Sequence, residues 1–118
     1  MSFRYRHFPV YQKSLELHKL IVHTTIRLPE KFGYIQNQIR RAALSIVLNI
    51  AEGSAKSSDK DFNRYLGIAL GSVDEVVAGC EVMLSENLIN KDKFNEIELI
   101  ANEISKQLGG FSKKLKQS

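Results

Sequence analysis

Between residues 94 and 115, Phe94, Ile97, Ala101, Ile104, Leu108, Phe111 and Leu115 recur three and four apart without a miss. Such a seam belongs to a helix packing lengthwise against other helices at a shallow crossing angle. It requires partners, and the rest of the chain offers three. Pro9 suits a first helical turn, and Leu15, Leu17, Ile21, Val22, Ile26 and Leu28 follow at helical spacing until Pro29 stops them. A second helix is predicted over about residues 34–52, with Gly53 as its C-terminal stop. Ser58 followed by Asp61 reads as a capping box for a third, whose apolar positions run Phe62, Leu66, Ala69, Val73, Val76, Cys80, Met83 and Leu84. Asn90 or Asp92 caps the fourth, and Gly109 and Gly110 are expected to fray its end. Long amphipathic helices joined by short loops predict an all-α, antiparallel up-down four-helix bundle. A single domain is expected over residues 1–118, with a short extension over about 1–8 and a frayed basic tail over about 112–118.

Composition removes the competing classes. Two prolines and seven glycines supply too little turn chemistry for a β-sandwich or barrel. One cysteine, Cys80, forms no intramolecular disulfide and no multi-cysteine zinc site. The longest weakly polar run, residues 42–51, is far short of a bilayer span, so no membrane association is expected. No apolar signal core follows the first residues, which predicts a cytoplasmic protein.

Charge is distributed unevenly. Residues 1–41 carry a net +6 and residues 42–118 a net −2, within a total of +4. After Glu103 come four lysines and no acid. A basic first third and a basic tail suit an anionic partner, most simply RNA or another nucleic acid; the alternative is a solubilising surface. The candidate contacts are Arg4, Arg6, Lys13, Arg40, Arg41, Lys56, Lys60, Arg64, Lys113, Lys114 and Lys116. Phe3, Tyr5 and Tyr11 lie among them and serve either base stacking or packing.

Helix two is apolar on two sides. Ile35, Ile39, Ala42, Ala43, Ile46 and Ile50 form one stripe; Leu44, Val47, Leu48 and Ala51 form another, roughly opposite. The second stripe, with Gly67 and Gly71 on helix three, predicts a homo-oligomer interface; a broad intramolecular core is the alternative. Gln38, Arg41, Ser45, Asn49 and Glu52 form the polar strip between the stripes, read as a structural network, with an arginine as the expected partner of Glu52 near its helix C-terminus. His7, His18 and His23 lack metal-ligand spacing, and Cys80 reads as a buried small hydrophobe. No catalytic constellation, cofactor motif or small-molecule site is expected. The two functional readings are a nucleic-acid-binding oligomer and a protein-interaction scaffold.

The stretches Phe8-Pro-Val-Tyr-Gln-Lys-Ser, Gln38-Ile-Arg-Arg-Ala-Ala-Leu-Ser-Ile, Asn49-Ile-Ala-Glu-Gly and Asp61-Phe-Asn-Arg-Tyr-Leu-Gly-Ile-Ala-Leu-Gly-Ser resemble a family of four-helix-bundle proteins named after intervening sequences of bacterial 23S rRNA genes. That resemblance implies a small non-enzymatic bundle forming a ring-like homo-oligomer, typically a pentamer. More distantly, the chain is similar to the basic pentameric accessory protein of diversity-generating retroelements, which binds nucleic acid and a reverse transcriptase. By position, Gln38, Arg40, Arg41, Ser45, Asn49, Glu52, Gly53, Ser58, Phe62, Gly71, Ser72 and Glu75 carry the family pattern. Tyr11 replaces a usual tryptophan, Val47 a frequent proline, and Leu48 a usually small residue; the last enlarges the second apolar stripe.

Overall fold

The computed structural model describes residues 3–117. Four α-helices account for most of them: α1 (Pro9–Thr25), α2 (Gly33–Ser54), α3 (Asp59–Ser85) and α4 (Lys91–Gln117). Short 3-10 turns, Arg4–His7 and Glu30–Phe32, precede α1 and α2, and no strand occurs among the described residues.

Helix ends follow from side-chain chemistry. The Asp61 N–H donates to Ser58 Oγ at 3.1 Å and the Lys93 N–H to Asn90 Oδ1 at 2.8 Å, so Asn90 rather than Asp92 caps α4. Helix α3 ends without glycine. Asn87 takes a left-handed φ of 58°, the Leu88 N–H reaches Met83 O at 2.8 Å and the Asn87 N–H reaches Leu84 O at 3.1 Å. That is a Schellman ending, with half-buried Leu88 covering buried Met83.

Helix α1 stops at Thr25, before Pro29, and its last carbonyls are claimed by α2. Gln36 Nε2 donates to Thr25 O at 2.7 Å, and Arg40 donates through Nε to Thr25 Oγ1 at 2.9 Å and through its NH2 nitrogen to Val22 O at 3.2 Å. The buried face of α1 is Val10, Ser14, Leu17, Ile21 and Thr25, while Leu15 is exposed. Ser14 and Thr25 enter the core because their hydroxyls donate to Tyr11 O and Ile21 O in their own helix.

Contacts of α1 with α2 and α4, and of α2 with α3, run in opposite senses. Phe8 meets Phe111 while Lys13 meets Glu103; Gly53 faces Tyr65 while Gly79 faces Ile39. The helices are therefore antiparallel, in the ring order α1–α2–α3–α4, with α4 returning to α1. The α2/α3 face lies opposite the α4/α1 face. Leu17, Ile21, Ile46, Ile50, Leu66, Val76, Ile97, Ile104 and Leu108 fill the interior.

Two sequence-based expectations are corrected by this packing. Gly53 is the penultimate residue of α2, with no left-handed φ to stop it: a Cβ there would sit 2.7 Å from Tyr65 Cβ and 3.0 Å from Phe62 Cδ1, so glycine permits the close approach of α3. Gly79 plays the same part against Ile39. The tail over 112–118 is not frayed as far as it is described. α4 continues to Gln117 because Phe111 and Leu115 pack on the core and Ser112 hydrogen-bonds to Asn63.

These glycines predict opposite stability effects. Gly53→Leu should destabilise by about 3 kcal/mol, since overpacking there displaces two aromatic residues. At Gly109 a Cβ meets nothing within 4 Å, so Gly109→Ala should stabilise by about 1 kcal/mol through helix propensity. Urea unfolding followed by circular dichroism measures both; equal midpoints would contradict the packing argument.

A basic end and an exposed apolar face

Antiparallel topology gathers the turn before α1, the end of α2, the start of α3 and the end of α4 at one end of the bundle. Arg4 bolts them together: its Nε donates to Ser54 O at 3.1 Å, and its guanidinium lies 5.3 Å from the Phe62 ring centroid. Beneath it, Phe8, Phe62 and Phe111 pack together with centroids 5.0–6.2 Å apart. Arg4, Arg6, Lys56, Lys60, Arg64, Lys113, Lys114 and Lys116 therefore share this end, residues separated by up to about a hundred positions in the chain. The carboxylates near them are Glu52, Asp59 and Asp61. At the opposite end Arg27, Lys31, Lys91 and Lys93 are balanced by Glu30, Glu86, Asp92 and Glu96. The bundle is polar in charge along its length.

Several of these cations rest on rings. Lys56 Nζ and the Arg64 guanidinium lie 5.0 and 4.6 Å from the Tyr65 centroid, and Arg6 lies 4.9 Å from that of Phe3. This holds the charged groups near the surface at little entropic cost. Tyr5 packs edge-on against Tyr11 at 4.8 Å, so those rings are engaged internally while Phe3 remains exposed.

Three of the nominated cations lie elsewhere. Lys13 pairs with Glu103 at 3.0 Å and Glu16 at 3.5 Å, and the hydrogen bond and charge of Glu103 raise its pKa, so its charge is locally balanced. Arg40 is half-buried and spent on the end of α1, which corrects its assignment as a phosphate contact. Arg41 is exposed in mid-α2, away from the basic end.

The polar strip of α2 faces α3. Gln38 Nε2 donates to Glu75 Oε2, Ser72 Oγ to Ser45 Oγ at 2.8 Å, and Asn49 Nδ2 to Ser45 O at 2.8 Å and Ser45 Oγ at 3.0 Å. Ser72 and Glu75 were absent from the strip read on α2 alone, since a partner on another helix leaves no mark in one helix's periodicity. Arg41 and Glu52 do not join this network: neither forms an ion pair among the described residues. Glu52 has no arginine ion-paired to it among the described residues of the subunit.

Along the same face Leu44, Leu48, Ile68, Val82 and Tyr34 are exposed, Leu48 by 53%. Val47 is not among them; it is 6% exposed within the chain, a correction to its place in the second stripe. Ala51 is half-buried. Gly67 and Gly71 are open, with nothing within 4 Å of a Cβ. An apolar groove of about 300 Å³ between Tyr34, Ile39, Ala78, Gly79 and Val82 extends the face toward the end of α3.

Cys80 is fully buried, and burial pushes its thiol up to about 12, which leaves no thiolate for chemistry. Among the described residues no group of three or more His, Cys, Asp or Glu is placed to hold a metal, and no helix is long and apolar enough to cross a membrane.

Comparison with known proteins fits this architecture. The model of a family described as "23S rRNA-intervening sequence protein" matches residues 6–110. A crystal structure of a protein of unknown function from the S23 ribosomal protein family of Bacteroides thetaiotaomicron is similar at 30% identity, over 88% of this chain and 95% of that one, with a TM-score of 0.82. No curated protein matches the chain.

Proposed function

The chain belongs to the 23S rRNA-intervening sequence protein family, and from that premise we propose that it is a non-enzymatic cytoplasmic homo-oligomer, a pentameric ring, that binds RNA through its basic end. The observation that carries the reading is the convergence, among the described residues, of eight cationic side chains from four chain segments at one end of the bundle, against three side-chain carboxylates. Such a cluster attracts phosphate irrespective of sequence, and the binding it supports weakens steeply with salt.

Assembly strengthens the effect. A closed ring is polar along its axis, so each subunit presents the same end to the same side. With the bundles standing along that axis, modest local charge becomes a continuous basic rim. The α2/α3 face supplies the contact: Leu44, Leu48, Ile68 and Val82 give apolar area, and open Gly67 and Gly71 let a neighbouring helix approach. Glu52 and Arg41, which form no ion pair among the described residues, are available to pair across it. No cofactor enters this function.

The same apolar face also favours a second reading, a scaffold that docks a different protein. One experiment separates the two. Labelled structured RNA is titrated at rising salt, expecting sub-micromolar binding at low salt and a log–log slope of about −0.7 to −0.9 per neutralised phosphate. No binding at low salt rejects the nucleic-acid reading. Stoichiometric retention of one protein from nuclease-treated lysate then favours the scaffold.

A further inference from the structure

On the α4/α1 face, opposite the apolar α2/α3 face, a groove of about 390 Å³ opens at the basic end. Phe8 and Val10 form its α1 wall; Gln107, Gly110, Phe111 and Lys114 form its α4 wall. Its size falls within the range of small-ligand sites. Gly110 is part of its lining, and a Cβ there would project into open space, with nothing within 4 Å. Gly110 is not explained by intrachain packing, unlike Gly53 and Gly79, and it lies in the interior of a helix, where glycine is unfavourable.

The lining combines three kinds of chemistry. Phe8 and Phe111, edge to face at 5.1 Å and both half-buried, offer ring surface. Gln107 brings an amide, a donor and an acceptor together, to the lining. Lys114, one helical turn beyond Gly110, places a cation at the rim, with Lys113 beside it in sequence. A flat ring with hydrogen-bonding edges and an adjoining negative charge matches all three.

We propose that this groove receives an unstacked nucleobase, so that the ligand of the basic end is single-stranded RNA rather than duplex. The inference rests on the RNA-binding reading above. Within a duplex the base faces are stacked and the A-form major groove is too narrow for side chains to read; in single strands, loops and ends the base can enter an aromatic site. The base lies against Phe8 and Phe111, the Gln107 amide takes its edge, and Lys114 takes the adjoining phosphate. Because the groove is on the face opposite Leu48 and Ile68, subunit contacts there leave it open.

The test compares Gly110→Leu with the full-length wild-type chain, using three probes: an oligoadenylate of about ten nucleotides, a ribose-phosphate strand of equal length without bases, and a duplex. Leucine has room at position 110 and favours helix, so the variant folds, and circular dichroism checks this. Wild type is expected to bind the oligoadenylate about tenfold more tightly than the baseless strand, and Gly110→Leu to lose that preference while holding the baseless strand and duplex unchanged. Equal wild-type affinity for the strands with and without bases overturns the proposal, as does oligoadenylate binding unaffected by Gly110→Leu or an equal loss for every probe. In those cases polyanion binding survives. If wild type binds none of the probes at low salt, the RNA-binding reading itself falls, and this inference with it.

Discussion

Leu48→Glu is expected to leave folded monomers of 13.4 kDa in place of the homo-oligomer proposed for the wild-type chain. Leu48 is 53% exposed on α2 and outside the intrachain core, so a carboxylate there is solvated in the free subunit and should cost little fold stability. In a subunit contact built from Leu44, Ile68 and Val82 the same carboxylate loses water without gaining a counter-charge. Such a penalty is several kcal/mol for each buried charge, repeated at every symmetric contact. Light scattering reads the result as a fall in mass by the number of subunits. Leu99→Glu is the control: Leu99 is more exposed, at 68%, but lies on α4, so its variant should retain the wild-type mass. A wild-type monomer at high micromolar concentration, or a Leu48→Glu variant of unchanged mass, would defeat the proposed interface.

Removing charge from the basic end should have the second large effect. The variant Lys113→Ala/Lys114→Ala/Lys116→Ala takes three exposed cations from the end of α4. RNA affinity at low salt should drop about a hundredfold, and the salt slope should flatten by about 0.7 for each phosphate that is no longer neutralised. Lys13→Ala is the matched control, because Lys13 already spends its charge on Glu103 and Glu16. Its RNA affinity should stay close to wild type. A logarithmic loss for Lys13→Ala about one third that of the triple variant would mean that total charge, and not its placement at one end, governs binding. The Leu48→Glu monomer links the two predictions: separated from its neighbours, it should bind RNA more weakly while keeping every basic side chain.

Some residues were legible alone and others were not. The three–four spacing from Phe94 to Leu115 reports the buried face of α4 because helix geometry converts spacing directly into direction. Ser58 was legible as a cap, and the cap of α4 was narrowed to Asn90 or Asp92, because a cap acts within three residues; the Lys93 N–H decides for Asn90. Arg40 and Arg41 show where such reasoning stops. Periodicity places them on different sides of α2, yet only the arrival of α1 shows that Arg40 is consumed by Val22 O and Thr25 Oγ1. Gly53 teaches the same: a glycine admits either a helix end or a close neighbour, and Tyr65 decides for the neighbour, while Gly79, against Ile39, gave no sequence signal at all. At Asn87 the left-handed ending was missed because glycine is its usual signal.

By itself, then, the order of residues determined four amphipathic helices, most of their ends and an excess of apolar surface on α2, all properties that act within a few turns of one helix. Only the tertiary structure decided that Arg4 meets Ser54, fifty residues away, that the tail lysines join Lys60 and Arg64 at one end, and that Val47 is covered while Leu48 is not. The physical reason is one of range. Backbone geometry carries direction along a helix, but which distant charges gather, and which apolar side chains stay uncovered, depends on how the helices pack across the bundle.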